Sequence, residues 1–134
     1  MSEVTITIPA RRLKSIERRH PWVFSGAIAG VMGEPEEGGI VTLRTEHGDF
    51  LAKGYWNARS SIRVRLLTWD DEAVDGAFWQ RGLERAIAAR QGQHVTASST
   101  AYRLINAEND YLPGLVVDRY GEWLVLQALT LGID

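Results

Sequence analysis

The sequence predicts a mostly β protein with short helices, of the α+β class: a small β-barrel followed by an incomplete α+β unit. Three observations support this prediction. Short strand-like segments separated by turn residues fill the first half, an acidic run occupies residues 70–76, and a helical pattern followed by strands comes after it. The length of 134 residues and the 45% hydrophobic content suit one domain or two small ones. We therefore expect a barrel over residues 1–69, a linker over residues 70–76 and the second unit over residues 77–134.

The first elements are short. "TITI" alternates as a strand does, and "RRLKSIERRH" places Leu13 and Ile16 on one face of a short helix that Pro21 prevents from continuing. "WVFSGAIAGV" then has the pattern of one strand with a bend at Gly26. Short strands at this spacing, with one small helix, favour a compact barrel over an open sheet, because closure removes unpaired edges.

A hairpin and a last strand complete the predicted barrel. "GGIVTLRTEHGDFLAKGYWN" alternates on both sides of a turn centred on His47 and Gly48. In "SSIRVRLLTW" the apolar residues alternate with Arg63 and Arg65, so one face of this strand is expected in the core and the other is basic.

The second unit begins after the acidic linker, which we interpret as solvated. "AFWQRGLERAIAAR" has the spacing of an amphipathic helix, and Pro113 with Gly114 suits a type II turn. "LVVD" and "EWLVLQ" flank "RYG" as a hairpin whose strands are apolar on both faces, so both are expected to be buried on both sides. Trp79 and Trp123 are accordingly assigned to the core.

Charge is unevenly distributed between the halves. Residues 1–68 carry ten Lys and Arg against seven Asp and Glu, whereas residues 69–134 carry five against ten. Basic residues cluster at positions 11–19 and 53–65, where Trp22, Tyr55 and Trp56 adjoin them. An aromatic side chain beside arginine is a usual feature of RNA-binding surfaces, although core packing is the default role of a tryptophan.

The sequence lacks the residues that several kinds of catalytic and metal-binding site require. The chain has no Cys, no glycine-rich phosphate loop and no metal-binding spacing, so neither a catalytic nor a metal site is predicted. Glu108, Asp110 and Asp118 could form a carboxylate pair for acid and base catalysis, but their turn-rich context favours a solvated loop. No apolar run is long enough to span a membrane, and the absence of Cys fits a reducing cytoplasm, where we expect the protein.

Three stretches carry a resemblance to a known family: "RRHPWVFSGAI", "SSIRVRLL" and "AYRLINAENDYLPGLVVDRYGEWLVLQ". They resemble the N-terminal part of the large-subunit ribosomal RNA methyltransferase I family, and the resemblance runs through nearly all of the chain. It implies a PUA domain over residues 1–69, which is a small barrel that binds structured RNA, and the beginning of a central α+β domain after the linker. The Rossmann-type methyltransferase domain of the family is expected to be absent from this chain.

The resemblance also implies a function. Enzymes of this kind methylate C5 of a cytosine with S-adenosylmethionine as cofactor, and a cysteine thiolate attacks C6 of the base. Because this chain has no Cys, we expect it to be an inactive fragment that binds no cofactor and positions large-subunit ribosomal RNA for a catalytic domain. A homodimer of the full-length protein is left open.

The resemblance places the RNA-binding groove between the first helix, the strand after it and the closing strand of the barrel. The candidate RNA-binding residues are therefore Arg18, Arg19, His20, Trp22, Lys53, Tyr55, Arg59, Arg63 and Arg65. Two alternatives remain. The chain could be a stand-alone PUA-type RNA-binding or ribosome-associated protein without catalysis, or a scaffold that uses its barrel for protein contacts, which salt would affect less than phosphate contacts.

Overall fold

The computed structural model describes residues 3–91, 101–107 and 115–128, and strands predominate among them, which confirms the predicted fold class. The chain divides into two compact units, Met1–Glu72 and Ala73–Asp134. The predicted turn at Pro113 and Gly114 lies outside the described residues. No helix in the described ranges is both long enough and apolar enough to cross a membrane.

The first unit is built on one six-stranded sheet with the order β2-β6-β5-β4-β1-β3. Parallel pairing joins β1 to β4, and the other neighbours are antiparallel. The predicted hairpin is present, and Gly48 supplies the positive φ of 92° that its turn requires. The strands are β1 (Thr5–Ile8), β2 (Trp22–Phe24), β3 (Gly30–Met32), β4 (Ile40–Thr45), β5 (Phe50–Trp56) and β6 (Ile62–Thr68).

The segment predicted as one bent strand forms two strands at opposite edges of this sheet. A short 3-10 helix over Ser25–Ala27 separates β2, which pairs with β6, from β3, which pairs with β1. Six residues of extended chain span at most about 21 Å, whereas the outer strands of a flat six-stranded sheet would lie about 24 Å apart. The sheet must therefore curl so that its two edges approach each other, which gives the barrel shape expected from the sequence.

The core of the first unit follows from strand alternation. Each of its central strands turns every second side chain inward, and Ile16 of the short helix α1 (Leu13–Glu17) covers them, with 4% of its surface exposed. Removing these side chains from water is the main stabilising contribution to such a fold. The strand residues that are at most 1% exposed in this core include Ile6, Ile8, Val41, Leu43, Val64 and Leu66.

The second unit contains a helix and a three-stranded sheet with the order β7-β8-β9. Asp75 starts the helix, because its side chain accepts a hydrogen bond from the backbone N–H of Phe78 at 2.9 Å. Trp79 packs against a core of Ala86, Ile105 and Val117, as predicted. The elements are α2 (Gly76–Gln91), β7 (Ala101–Asn106), β8 (Leu115–Tyr120) and β9 (Trp123–Ala128).

The expectation that both strands of the second hairpin are buried on both sides is wrong for β9. All of its residues are exposed, and Trp123 is 77% exposed instead of lying in the core. An apolar strand is buried only where another layer or strand covers it. Among the described residues β9 pairs with β8 alone, and the core contacts of α2 are made with β7 and β8.

Candidate nucleic-acid interface

The end of helix α1 positions the first three candidate residues. Arg19 has a positive φ of 61°, its N–H donates to Ile16 O at 2.9 Å, and the N–H of His20 donates to Ser15 O at 3.0 Å. This pair of hydrogen bonds is the Schellman motif, in which glycine usually occupies the left-handed position. The helix therefore ends at a turn that contains Arg18, Arg19 and His20, all exposed and immediately before β2.

The Arg19 side chain is held against a tryptophan. Its guanidinium carbon lies 5.5 Å from the centre of the Trp69 ring. Trp69 is itself fixed, because its Nε1–H donates to the backbone carbonyl of Ile16 at 2.8 Å. The same helix end thus orients both the backbone and the side chain of Arg19.

His20 protects the edge of the sheet at β2. Leu66 N–H donates to Pro21 O at 2.7 Å, so Trp22 and Arg65 face each other as a non-hydrogen-bonded pair. In such a pair the backbone N–H of Trp22 points away from β6, and that of Arg65 points away from β2. The outward N–H of Trp22 donates to Nδ1 of His20 at 3.2 Å. Nδ1 of His20 is the acceptor in this bond, so the His20 side chain satisfies a backbone N–H at the edge of the sheet.

Three aromatic rings form a row along this edge, which we call the aromatic row: His20, Trp22 and Phe24. Ring centres lie 6.0 Å apart for His20 and Trp22 and 6.5 Å apart for Trp22 and Phe24, and both pairs are edge to face. Trp22 is 36% exposed and Phe24 is 47% exposed. The guanidinium of Arg65 lies 5.5 Å from the centre of the Trp22 ring. An arginine and exposed aromatic faces therefore meet at one place.

Arg59 lies in the connection between β5 and β6, and Arg63 is the second residue of β6. This connection lies beside the end of β2, because Ser25 N–H donates to Ser61 O at 2.9 Å. Arg59 is exposed, whereas Arg63 is half-buried, lies 5.7 Å from the centre of the Trp56 ring and donates to Ser60 O at 3.2 Å.

Lys53 and Tyr55 are not part of the exposed surface. Lys53 Nζ lies 3.5 Å from a carboxylate oxygen of Asp71 and donates to Glu72 O at 2.8 Å, and 18% of its side chain is exposed. Tyr55 is 1% exposed, so its ring has no face open to a base. The first residues of the acidic segment, which the sequence suggested to be solvated, therefore bind to the barrel and engage one of its cations.

The acidic residues considered for catalysis do not form a site in the described part of the chain. Asp118 pairs with Arg103 at 2.8 Å across β7 and β8, and this hydrogen bond, together with the charge of Asp118, raises the pKa of Arg103. Glu108 and Asp110 lie outside the described residues. Within the three described ranges, no group of three or more metal-binding side chains comes together.

Sequence reasoning missed two members of this surface. Neither Phe24 nor Trp69 is among the candidate RNA-binding residues that the sequence suggested. The available signal for Phe24 was its position two residues after Trp22, since alternate residues of a strand share a face. No sequence pattern connects Trp69 with Arg19, which is fifty residues earlier in the chain.

Comparison with known proteins defines the class of domain to which the barrel belongs. Residues 6–69 match the sequence profile of a family described as PUA-like domain, so the barrel is a PUA-like domain. Curated proteins named ribosomal RNA large subunit methyltransferase I match nearly the whole chain: identity is 41% for the protein of Shewanella amazonensis, 43% for that of Tolumonas auensis and 45% for that of Aeromonas hydrophila. The alignments cover 98%, 97% and 92% of this chain.

The chain spans about a third of the length of these relatives, 33%, 33% and 31% respectively. Over that third its sequence is similar to proteins of the ribosomal RNA large subunit methyltransferase I family, which confirms the resemblance seen in the sequence. Two solved structures share the fold over 96% of this chain at 17% identity. One, a proposed methyltransferase complexed with SAH, has a TM-score of 0.80, and the other, a proposed SAM-dependent methyltransferase from Streptococcus mutans, has a TM-score of 0.75.

Proposed function

We propose that this chain is the RNA-binding part of a ribosomal RNA methyltransferase and that it holds the phosphates of structured large-subunit ribosomal RNA. The observation that carries the proposal is the turn after α1, where Arg18, Arg19 and His20 are exposed together beside Trp22. Residues 18–33 contain no Asp or Glu, so no acidic residue of this stretch offsets the two arginines. Phosphate contacts by such cations supply most of the affinity of RNA-binding surfaces.

The exposure and contacts of the candidate residues support different roles for them in this proposal. Arg18, Arg19, His20 and Arg59 are exposed and fit direct phosphate contacts, and the half-buried Arg63 and Arg65 border the same edge. Lys53 and Tyr55 are better suited to stabilising the barrel, because their side chains are occupied or buried.

The transfer of a methyl group from S-adenosylmethionine is assigned to the remainder of the relatives' length. This chain has no cysteine to act as the sulfur nucleophile, and we expect it to transfer no methyl group by itself. A cytoplasmic location and a homodimer of the full-length protein belong to the same proposal.

Salt dependence tests the proposal. The chain is titrated with a hairpin fragment of large-subunit ribosomal RNA at several salt concentrations, as wild type and as Arg18→Gln with Arg19→Gln. Each lost phosphate contact flattens the slope of log affinity against log salt by about 0.7 to 0.9, so the double variant is expected to flatten it by roughly 1.4 to 1.8.

The matched control removes two exposed arginines from the second unit, Arg81→Gln with Arg85→Gln. This variant has the same change of net charge, and we expect its slope to equal that of the wild type. Equal slopes for all three proteins, each folded, would overturn the assignment of phosphate contacts to the turn after α1.

A further inference from the structure

The aromatic row is exposed where a barrel would ordinarily bury or replace such side chains. Trp22 and Phe24 lie on the edge strand of the sheet and expose 36% and 47% of their surface, and neither belongs to the core of the first unit. Exposed apolar surface adds nothing to the stability of the fold, and contiguous patches of it commonly mark sites of interaction.

The Trp22 ring is also held in place. The edge-to-face contacts with Phe24 of the same strand and with His20 of the preceding turn fix its tilt, and the hydrogen bond from the backbone N–H of Trp22 to His20 Nδ1 fixes its backbone. From the neighbouring strand, Arg65 lies over the ring. A ligand that stacks here therefore meets a preorganised surface and need not order it.

The surroundings of the row favour an anionic aromatic ligand. The exposed Arg18 and Arg19 precede it in the chain, and there is no acidic residue between Arg18 and Gly33. A nucleotide combines a flat ring that stacks on aromatic side chains with a phosphate that binds guanidinium groups. A hydrophobic peptide or a second copy of this chain would use the aromatic rings but not the adjacent cations.

We propose that the aromatic row stacks an unpaired base of the RNA while Arg18 and Arg19 hold neighbouring phosphates. The preferred substrate class is then RNA with a looped-out or single-stranded nucleotide beside a helix. Bases within a duplex are already stacked on each other, and their faces are closed to a protein. This inference rests on the proposed RNA-binding function and adds to it the part of the RNA that is recognised.

The test compares two RNA probes with equal numbers of phosphates: a hairpin with an eight-nucleotide loop and a fully paired duplex. Wild-type chain is expected to bind the hairpin more tightly. Trp22→Leu should weaken hairpin binding by about 5- to 150-fold, the usual effect of losing one stacked base, and leave duplex binding unchanged. Trp22→Phe, which keeps an aromatic face, should retain most of the affinity. The control is Trp123→Leu, which removes a tryptophan that is 77% exposed in the second unit and should change neither affinity.

A second measurement uses only the wild-type protein, so it does not depend on the folding of a variant. The hairpin carries 2-aminopurine in its loop, and stacking on the aromatic row should quench its fluorescence on binding. Hairpin binding without quenching, or unchanged hairpin affinity of a folded Trp22→Leu protein, would overturn the inference. If the variant lacking Arg18 and Arg19 still flattened the salt slope in that case, the proposed function would stand. Failure of the wild type to bind either probe in a salt-dependent way would instead overturn both.

Discussion

Arg19 occupies a backbone position that a helix end usually gives to glycine. An L-residue in the left-handed region is strained by roughly 1 to 2 kcal/mol relative to the right-handed one, and glycine is not. Arg19 also contacts Trp69 through its guanidinium, an interaction that contributes about 0.5 to 1 kcal/mol at an exposed site. The contact with Trp69 offsets part of the strain, which makes the net cost of this arginine small.

We predict that Arg19→Gly is more stable to unfolding than Arg19→Ala by about 1 kcal/mol. Both variants lose the contact with Trp69, but only alanine retains the strain of the positive φ of 61°. Chemical denaturation of the two proteins measures the difference. An alanine variant as stable as the glycine variant would show that the turn relaxes to another conformation. Both should lose the same RNA affinity, since neither carries the guanidinium.

The sequence indicates charge and size at a position but not the partner of a side chain. Arg18, Arg19 and Trp22 could be assigned to an exposed surface because a helix stop and a strand begin there. Lys53 and Tyr55 had the same basic and aromatic context, yet one pairs with Asp71 and the other is 1% exposed. The partners of Lys53, which are Asp71 and Glu72, are eighteen and nineteen residues away in the chain, and only the fold brings them together.

At the scale of elements, the close approach of β5 and β6 depends on Gly54. The pairing register of the two strands shifts between Lys53 and Gly54, which marks a bulge. A Cβ at position 54 would overlap the backbone carbonyl oxygen of Arg65 and lie 3.0 Å from Leu66 Cα. Backbone on a paired strand cannot move aside as a flexible side chain can.

Gly54→Ala is therefore expected to lower the free energy of unfolding by about 1 to 3 kcal/mol, the usual cost of overpacking. Gly30→Ala in β3 is the matched control, because a Cβ there has no neighbour within 4 Å. Thermal or chemical unfolding of both variants measures the effect. Equal stability of the two variants would contradict the argument, as it would mean that β5 and β6 can separate without cost.

Elements were predictable where a pattern determines them locally. Alternation on both sides of Gly48 determines the β4 and β5 hairpin. The segment from Trp22 to Met32 could not be divided in the same way, because alternation does not say which strand each part will pair with. The apolar pattern of β9 was equally ambiguous, since an apolar face is buried only if another layer covers it.

At the scale of the whole molecule, the boundary of the first unit depends on contacts that the sequence does not show. The acidic composition placed the end of the barrel at residue 69, whereas the compact unit extends through Glu72. Glu72 is bound twice: its carbonyl accepts from Lys53 Nζ and its carboxylate accepts from Thr68 Oγ1, each at 2.8 Å. Asp71 adds an ion pair to Lys53 at 3.5 Å.

These contacts predict that a chain of residues 1–72 unfolds with a free energy about 1 to 3 kcal/mol larger than a chain of residues 1–69. Each of the two half-buried hydrogen bonds contributes about 0.5 to 1.5 kcal/mol, while the largely exposed Asp71 adds little. Denaturant titration of the two chains measures the difference, and Thr68→Val in the longer chain is expected to remove part of it. If both chains were equally stable, residues 70–72 would be a linker in function as well as in composition. If neither folded, the first unit would depend on the second for its stability, and the two-unit organisation would have to be abandoned.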